Sequence, residues 1–251
     1  YPLRRQRQMC IRDRYSTDQI VFSCVGNISR KRFMNFCQKY LESIPLRKRI
    51  NDKRVAPTPE VFHLDKKESV HQSHTIVGGP AMGMTDDRVN AMMLLNNVLG
   101  GPALNSILNL NIREKLGYCY YIESNYNPYS DLGLFEIYFG TDPKYHKRIL
   151  KLVRKELNKL KERPLSSRAL SLAKKQLVGQ IALAREHRSS LMIAMAKSLL
   201  FYNEVESFQE IHDKIQAISE RDLLNVSQEV FDEENLSSLA YHPKGLSLIH
   251  I

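Results

Sequence analysis

The sequence predicts an α+β fold, a two-layer sandwich in which helices pack on a mainly antiparallel sheet. Three observations predict it. β-Prone segments come in adjacent pairs, at 61–64 with 70–77 and at 118–126 with 132–140. Helical periodicity fills the stretches between and after these pairs instead of alternating with single strands. From residue 60 the order is therefore β β α α β β α, several further α, then β, which argues against a repeated βαβ unit. Composition agrees: 43% hydrophobic and 25% charged residues in 251 suit a globular chain with a sizeable core. No apolar run approaches the roughly 20 residues of a membrane-spanning helix.

Taken in order, the two ends look foreign. Residues 9–14 (MCIRDR) and 246–251 (LSLIHI) resemble translated sequencing-adaptor read-through, and no signal-peptide pattern follows Tyr1. Residues 1–14 and 246–251 are thus expected to be a non-native leader and tail. Ile20 to Val25 is a short β-prone run ending at the Gly26-Asn27 turn signal. A helix follows from about Ser29, with Phe33, Phe36, Cys37, Tyr40 and Leu41 at helical spacing. Residues 46–59 carry Pro57, Pro59 and several basic side chains, and read as a linker.

A helix is expected from Asp86 to Leu99, its first turn favoured by Asp86 and Asp87 and its end marked by Gly100-Gly101. A second covers Leu104 to Lys115 and stops at Gly117. Asn127 to Asp131 joins the next two strands as a hairpin with a longer loop. Asp142-Pro143 supplies an N-cap and a first-turn proline for a helix burying Ile149, Leu152, Val153 and Leu157. Helices continue over 166–186, 188–202, 206–217 and 220–231, the last with a Ser219/Asp222 capping box, before a strand at 236–241.

Charge excludes little by itself. The net charge is +10, but residues 1–14 hold five Arg and one Asp, leaving +6 on the other 237 residues. Much of that excess lies on a helix face, Lys144 to Arg163, and reads as solvated. Nucleic-acid binding requires a basic patch tied to a reading motif, and none is found. The four Cys (10, 24, 37, 119) show no CxxC, so neither a disulfide framework nor a cysteine zinc site is indicated. That usage fits a reducing compartment and favours the cytoplasm without fixing it.

The eight His include no HExxH and no HxxEH, spacings that work because i and i+4 share a helix face and converge on one metal. His71-x-x-His74 falls in an expected strand, where residues three apart point to opposite faces. No GxSxG elbow and no Cys/His signature appears. Gly78-Gly79-Pro80 and Gly100-Gly101-Pro102 lack the phosphate-loop pattern and read as turns or helix ends. The informative segment is Leu99 to Tyr121, LGGPALNSILNLNIREKLGYCYY. It sets Arg113 near a helix C-terminus and Tyr120 at the start of a strand, across the Gly117 turn. By themselves these positions suit an Arg on terminal carbonyls and a Tyr facing the core.

With Arg113, Glu114, Lys115, Gly117 and Tyr120 in place after Leu99-Gly100-Gly101, the segment resembles the second domain of the pitrilysin/insulinase (M16) zinc metallopeptidases. Tyr129-Ser130-Asp131 and Gly140-Thr141-Asp142-Pro143 resemble the same domain, and Val25-Gly26-Asn27-Ile28 resembles the end of the preceding one. The resemblance spans 18–243. It implies a LuxS/MPP-like metallohydrolase fold, with residues 15–45 as the tail of the first domain, 46–59 as linker and 60–245 as the C-terminal, substrate-binding domain. It also implies that Arg113 and Tyr120 reach toward the partner domain and bind substrate near a Zn2+ this chain does not ligate. The implied partners are a peptide or protein substrate and the N-terminal domain, in cis or as a partner subunit, in a possible dimer with no nucleic acid. The implied activity is zinc-dependent endopeptidase in the intact protein; the alternative is a non-catalytic subunit with a peptide-holding or structural role. Two departures stand out. Ser106 is followed by Ile107 where the family commonly has a basic residue, and HxxEH is absent.

Overall fold

A computed structural model describes residues 16–48 and 60–244. The expected leader, most of the expected linker, the expected tail and Cys10 lie outside those residues. The described chain divides into two units, one from residues 16–48 and 179–211, the other from 60–178 and 212–244.

The larger unit holds one five-stranded sheet in the order β1-β5-β2-β4-β3, formed by β1 (His63–Glu68), β2 (Ser73–Ala81), β3 (Cys119–Pro128), β4 (Gly133–Thr141) and β5 (Ser237–Pro243). Only β1 and β5 pair in parallel; the other three pairings are antiparallel. The sheet is mainly antiparallel, as the paired strands in the sequence predict. One face carries Val77, Ile122, Phe135, Ile137, Phe139 and Ala240, all buried. Helices α2 (Val89–Gly100), α3 (His146–Glu162) and α7 (Glu220–Val230) pack on one another and on strands β2 and β3 to close that side. Helix α3 turns Ile149, Val153, Leu157 and Leu160 inward at i, i+4, i+8 and i+11; Leu152, also expected inward, is only half-buried, and Leu160 extends the stripe.

Local chemistry explains the ends of these elements. Asp142 caps the turn before α3 by accepting from the Lys144 amide at 3.0 Å, with Pro143 following. At α7 the Asp222 carboxylate takes the Ser219 amide at 2.7 Å while the Ser219 hydroxyl takes the Asp222 amide at 3.2 Å, the expected capping box. Helix α2 starts three residues later than the acidic pair suggests. Asp86 instead accepts from the Arg88 amide at 2.8 Å and from its guanidinium, which also reaches Glu229 on α7. The Arg88 hydrogen bonds hold the Asp86 carboxyl below the usual carboxylate range.

Two expected glycine roles are corrected. Gly78-Gly79 is not a turn: both lie inside β2, where a Cβ would meet the Phe135 carbonyl at 2.3 Å and the Asn235 carbonyl at 2.3 Å. Gly100 and Gly101 do not end α2 by left-handed geometry, because Gly117 alone among the described glycines has positive φ, +63°. A Cβ on Gly100 would meet the Ser124 amide nitrogen at 2.6 Å, so this glycine lets the helix end lie directly on β3.

The smaller unit is helical: α1 (Arg30–Leu41), the C-terminal part of α4 (Ser167–Glu186), α5 (Arg188–Tyr202) and the start of α6 (Phe208–Ala217). Ser29 caps α1 by accepting from the Arg32 amide at 3.3 Å. The strand expected at 20–25 does not form. A strand requires a neighbour to satisfy its amides and carbonyls, and none of the sheet pairings includes these residues.

Candidate functional site on the open sheet face

The segment from Leu108 to Tyr121 positions both residues singled out by the sequence. The expected α-helix here is replaced over Asn109–Glu114 by a π-helical stretch, closed by Lys115 donating to the Leu110 carbonyl at 3.1 Å. Such widened turns are rare and recur at functional sites. Buried Asn109 donates to the Ser106 hydroxyl at 2.8 Å, fixing the start of the stretch. At its end the Gly117 amide reaches the Arg113 carbonyl at 2.9 Å, and the left-handed Gly117 turns the chain into β3. The Arg113 guanidinium is partly exposed and lies 3.6 Å from Glu114, a surface pair worth at most about 1 kcal/mol. Its charge is felt at Cys119. Burial pushes that thiol up to about 11, and Arg113 opposes the rise.

Tyr120 occupies a β-bulge. Cys119 pairs with Thr141 and Tyr121 pairs with Gly140, so Tyr120 is the extra residue between them. Strand alternation is broken: Cys119 is buried, and Tyr120 and Tyr121 are both exposed, Tyr120 by 81%. The alternative of a tyrosine facing the core therefore fails for Tyr120. Thr141, itself buried, donates to the Tyr118 carbonyl at 2.6 Å and pins the chain just before the bulge.

Cross-strand register assigns the neighbours on this open face. One row reads Tyr121, Gly140, His74, Tyr241 and Lys66; the next reads Glu123, Tyr138, Ile76, Leu239 and Leu64. The face is aromatic and aliphatic with a few polar groups. The Tyr121 hydroxyl bonds the Glu123 carboxylate, which holds its phenol above the ordinary tyrosine range. The other Glu123 oxygen accepts from Asn125 at 3.1 Å. His74 Nδ1 lies 2.8 Å from the Tyr138 hydroxyl. Sequence spacing could not reveal this cluster, since its members come from three strands and meet only through register. His71 and His74 do not form a pair: β2 begins at Ser73, and His74 turns to Tyr138.

A second polar cluster lies at β1, β2, β5 and the start of α3. Ser73 Oγ is 2.9 Å from His242 Nδ1, and His242 Nε2 is 3.6 Å from Asp65. The order suggests a nucleophilic relay, but Ser73 is wholly buried and no substrate atom could approach its hydroxyl. Beside it His146 meets His242 edge-on at 4.6 Å between ring centroids. Burial, then the His242 and Lys147 charges, push His146 below its ordinary value, and Asp65 opposes them.

Among the described residues no group of three or more His, Cys, Asp or Glu could hold a metal ion. The donor set fits no zinc site, so no step through a metal is derived from these residues. No helix among them is long and apolar enough to cross a membrane.

The fold is an α+β sandwich in which an exposed, bulged tyrosine follows a π-helical stretch that carries Arg113. Comparison with known proteins is specific: the family model described as the peptidase M16 inactive domain matches residues 8–177. The chain belongs to the M16 peptidase family, as its C-terminal, inactive-type domain. It is 28% identical over 225 residues to the uncharacterized zinc protease YmxG of Bacillus subtilis, covering 88% of this chain and 54% of that protein. It is 29% identical over 228 residues to an uncharacterized zinc protease of Streptomyces coelicolor, covering 87% and 49%. The chain thus spans about half the length of these curated relatives. Among solved structures, the M16 inactive domain from Pseudomonas fluorescens superposes with a TM-score of 0.77 at 19% identity, covering 87% of this chain and 52% of that one. A putative M16-like peptidase from Alicyclobacillus acidocaldarius gives 0.71 at 17% identity, covering 87% and 53%. These likenesses establish the shared fold.

Proposed function

We propose that this chain is the substrate-binding half of an M16-type zinc endopeptidase, acting on peptide or protein substrates at a zinc site held by an N-terminal half or partner subunit. In this reading Arg113 donates charge-assisted hydrogen bonds to substrate backbone carbonyls. Tyr120 donates its phenol O–H to the scissile carbonyl oxygen, or a neighbouring one, as negative charge develops there. The observation that carries the reading is the bulge: it turns Tyr120 off the strand alternation and leaves it 81% exposed. A core tyrosine gains nothing from such placement, whereas a hydrogen-bond donor aimed at a ligand requires it. The names of the Bacillus and Streptomyces relatives support the zinc-protease part.

The test is to express the complete gene product, measure bound zinc, and follow cleavage of an unfolded protein such as β-casein. The proposal expects an HxxEH motif in the remaining sequence, about one zinc per site, and cleavage abolished by chelator. A complete protein that carries no HxxEH, binds no zinc and cleaves nothing would sink it and make the chain a peptide-holding or structural subunit.

A further inference from the structure

We infer that His74 and Tyr138, with Gln72 over the Gly140 gap, form a second peptide-binding point on the sheet face that presents Tyr120. There one hydrogen bond is donated to a backbone carbonyl of an extended polypeptide lying across β3, β4 and β2. The inference rests on the reading that this face meets substrate, and it adds residues that reading does not use.

Hydrogen-bond counting comes first. His74 Nδ1 and the Tyr138 hydroxyl are 2.8 Å apart and share one hydrogen bond. A neutral imidazole and a phenol bring two donors between them, and one bond consumes one donor. If Tyr138 donates to Nδ1, the Nε2–H is left over; if Nδ1–H donates to the phenol oxygen, the Tyr138 O–H is left over. Either tautomer leaves one donor for a ligand acceptor. The neighbouring Glu123 carboxylate accepts from Tyr121 and Asn125.

Room comes second. Gly140 sits opposite His74 on one side and Tyr121 on the other. A Cβ built there would lie 3.6 Å from the Tyr138 hydroxyl, 3.7 Å from Gln72 Oε1 and 3.7 Å from His74 Nδ1. Contrast Gly78 and Gly100, whose missing Cβ atoms leave no space at all. At Gly140, itself buried, the missing side chain leaves a methyl-sized place at ordinary contact distance from three polar atoms.

Reach comes third. From β3, which carries Tyr120, to β2, which carries His74, is two strand spacings, about 10 Å. Three residues of extended chain span that distance. A peptide engaged by Tyr120 can therefore place a carbonyl one to three residues away between Gly140 and His74, while the tilted Tyr121 and Tyr138 rings, 5.9 Å apart, contact its side chains.

The experiment titrates the complete protein, with chelator present to stop cleavage, against fluorescein-labelled β-casein, an unfolded polypeptide, by fluorescence anisotropy. Tyr138→Phe keeps the ring and deletes the hydroxyl; His74→Ala deletes the imidazole. Each is expected to weaken Kd about 3–10-fold, the size of one lost neutral hydrogen bond. In the unsubstituted protein, the 15N resonances of the His74 ring, assigned with the His74→Ala spectrum, are expected to move on adding unlabelled β-casein. A purely structural role for the pair would not move them. Kd within twofold of the unsubstituted value in both variants, or His74 resonances unmoved at saturating β-casein, overturns the inference. Arg113→Ala and Tyr120→Phe separate the two levels. If either weakens binding while the His74 and Tyr138 variants do not, only the second binding point falls. If all four leave Kd unchanged, the reading of the face falls with it.

Discussion

The two units use similar helices very differently. In the sheet-bearing unit, α3 and α7 bury one stripe each, and Phe135, Phe139 and Phe231 are wholly removed from solvent. In the helical unit, α1 and α5 bury no residue, although α5 is apolar along most of its length, and Phe36, Ile193, Leu199 and Phe201 are exposed. Helix propensity and capping are satisfied in both. What differs is a second layer, and apolar periodicity becomes stability only where another element takes up the face. The sheet-bearing unit is therefore expected to carry most of the folding free energy, and the helical unit to open first.

The strongest way to break this comparison is to truncate an aromatic in each unit. Phe139→Ala, at a site with no exposure, should cost about 3–5 kcal/mol in urea unfolding. Phe36→Ala, half exposed on α1, should cost less than about 1 kcal/mol. Equal losses would mean the helical unit has a core of its own. Capping gives a smaller contrast with the same chemistry on both sides. Ser219→Ala breaks the α7 box and should lower global stability by about 1 kcal/mol, read by the same unfolding curve. Ser29→Ala at α1 should speed amide exchange in that helix while leaving the global midpoint in place.

Acid should sharpen the contrast further. Burial pushes His146 down, so its folded-state value lies below the unfolded one. The unfolded chain then binds the extra proton, and stability is lost as pH falls through about 6.5 toward the folded value. The sheet-bearing unit should thus weaken between pH 7 and 5, and His146→Phe should flatten that slope in unfolding curves taken across the range. Thiol labelling should distinguish the units with no change in stability. Exposed Cys24 should react promptly with iodoacetamide at pH 8. Cys119, buried and with a thiol raised to about 11, should react only on unfolding, as peptide mass mapping would show.

These contrasts track what the sequence could express. Elements of the sheet-bearing unit were legible because local signals agreed: the Ser219/Asp222 box, Asp142-Pro143, and the inward Ile149, Val153 and Leu157 all sit where spacing puts them. The strand expected at 20–25 failed because pairing is supplied by another segment, and a β-prone run cannot name its neighbour. Arg113 and Tyr120 were legible as a pattern in one continuous segment. The bulge that exposes Tyr120 was not, since it depends on how 119–121 is matched against Thr141 and Gly140. His74, Tyr138 and Gly140 were invisible as a group for the same reason: three strands bring them together, and only register records it. The glycines at 78, 79 and 100 were misread as conformational because sequence shows a missing side chain without showing what fills its place.

The central claim is that Tyr120 is exposed in order to donate to a substrate carbonyl. Its most direct test is the turnover number of the complete protein on β-casein, with zinc content measured alongside, for Tyr120→Phe against the unsubstituted enzyme. The account predicts turnover lower by about 10²–10³ with zinc unchanged. Unchanged turnover with zinc in place would contradict it and remove Tyr120 from the chemistry.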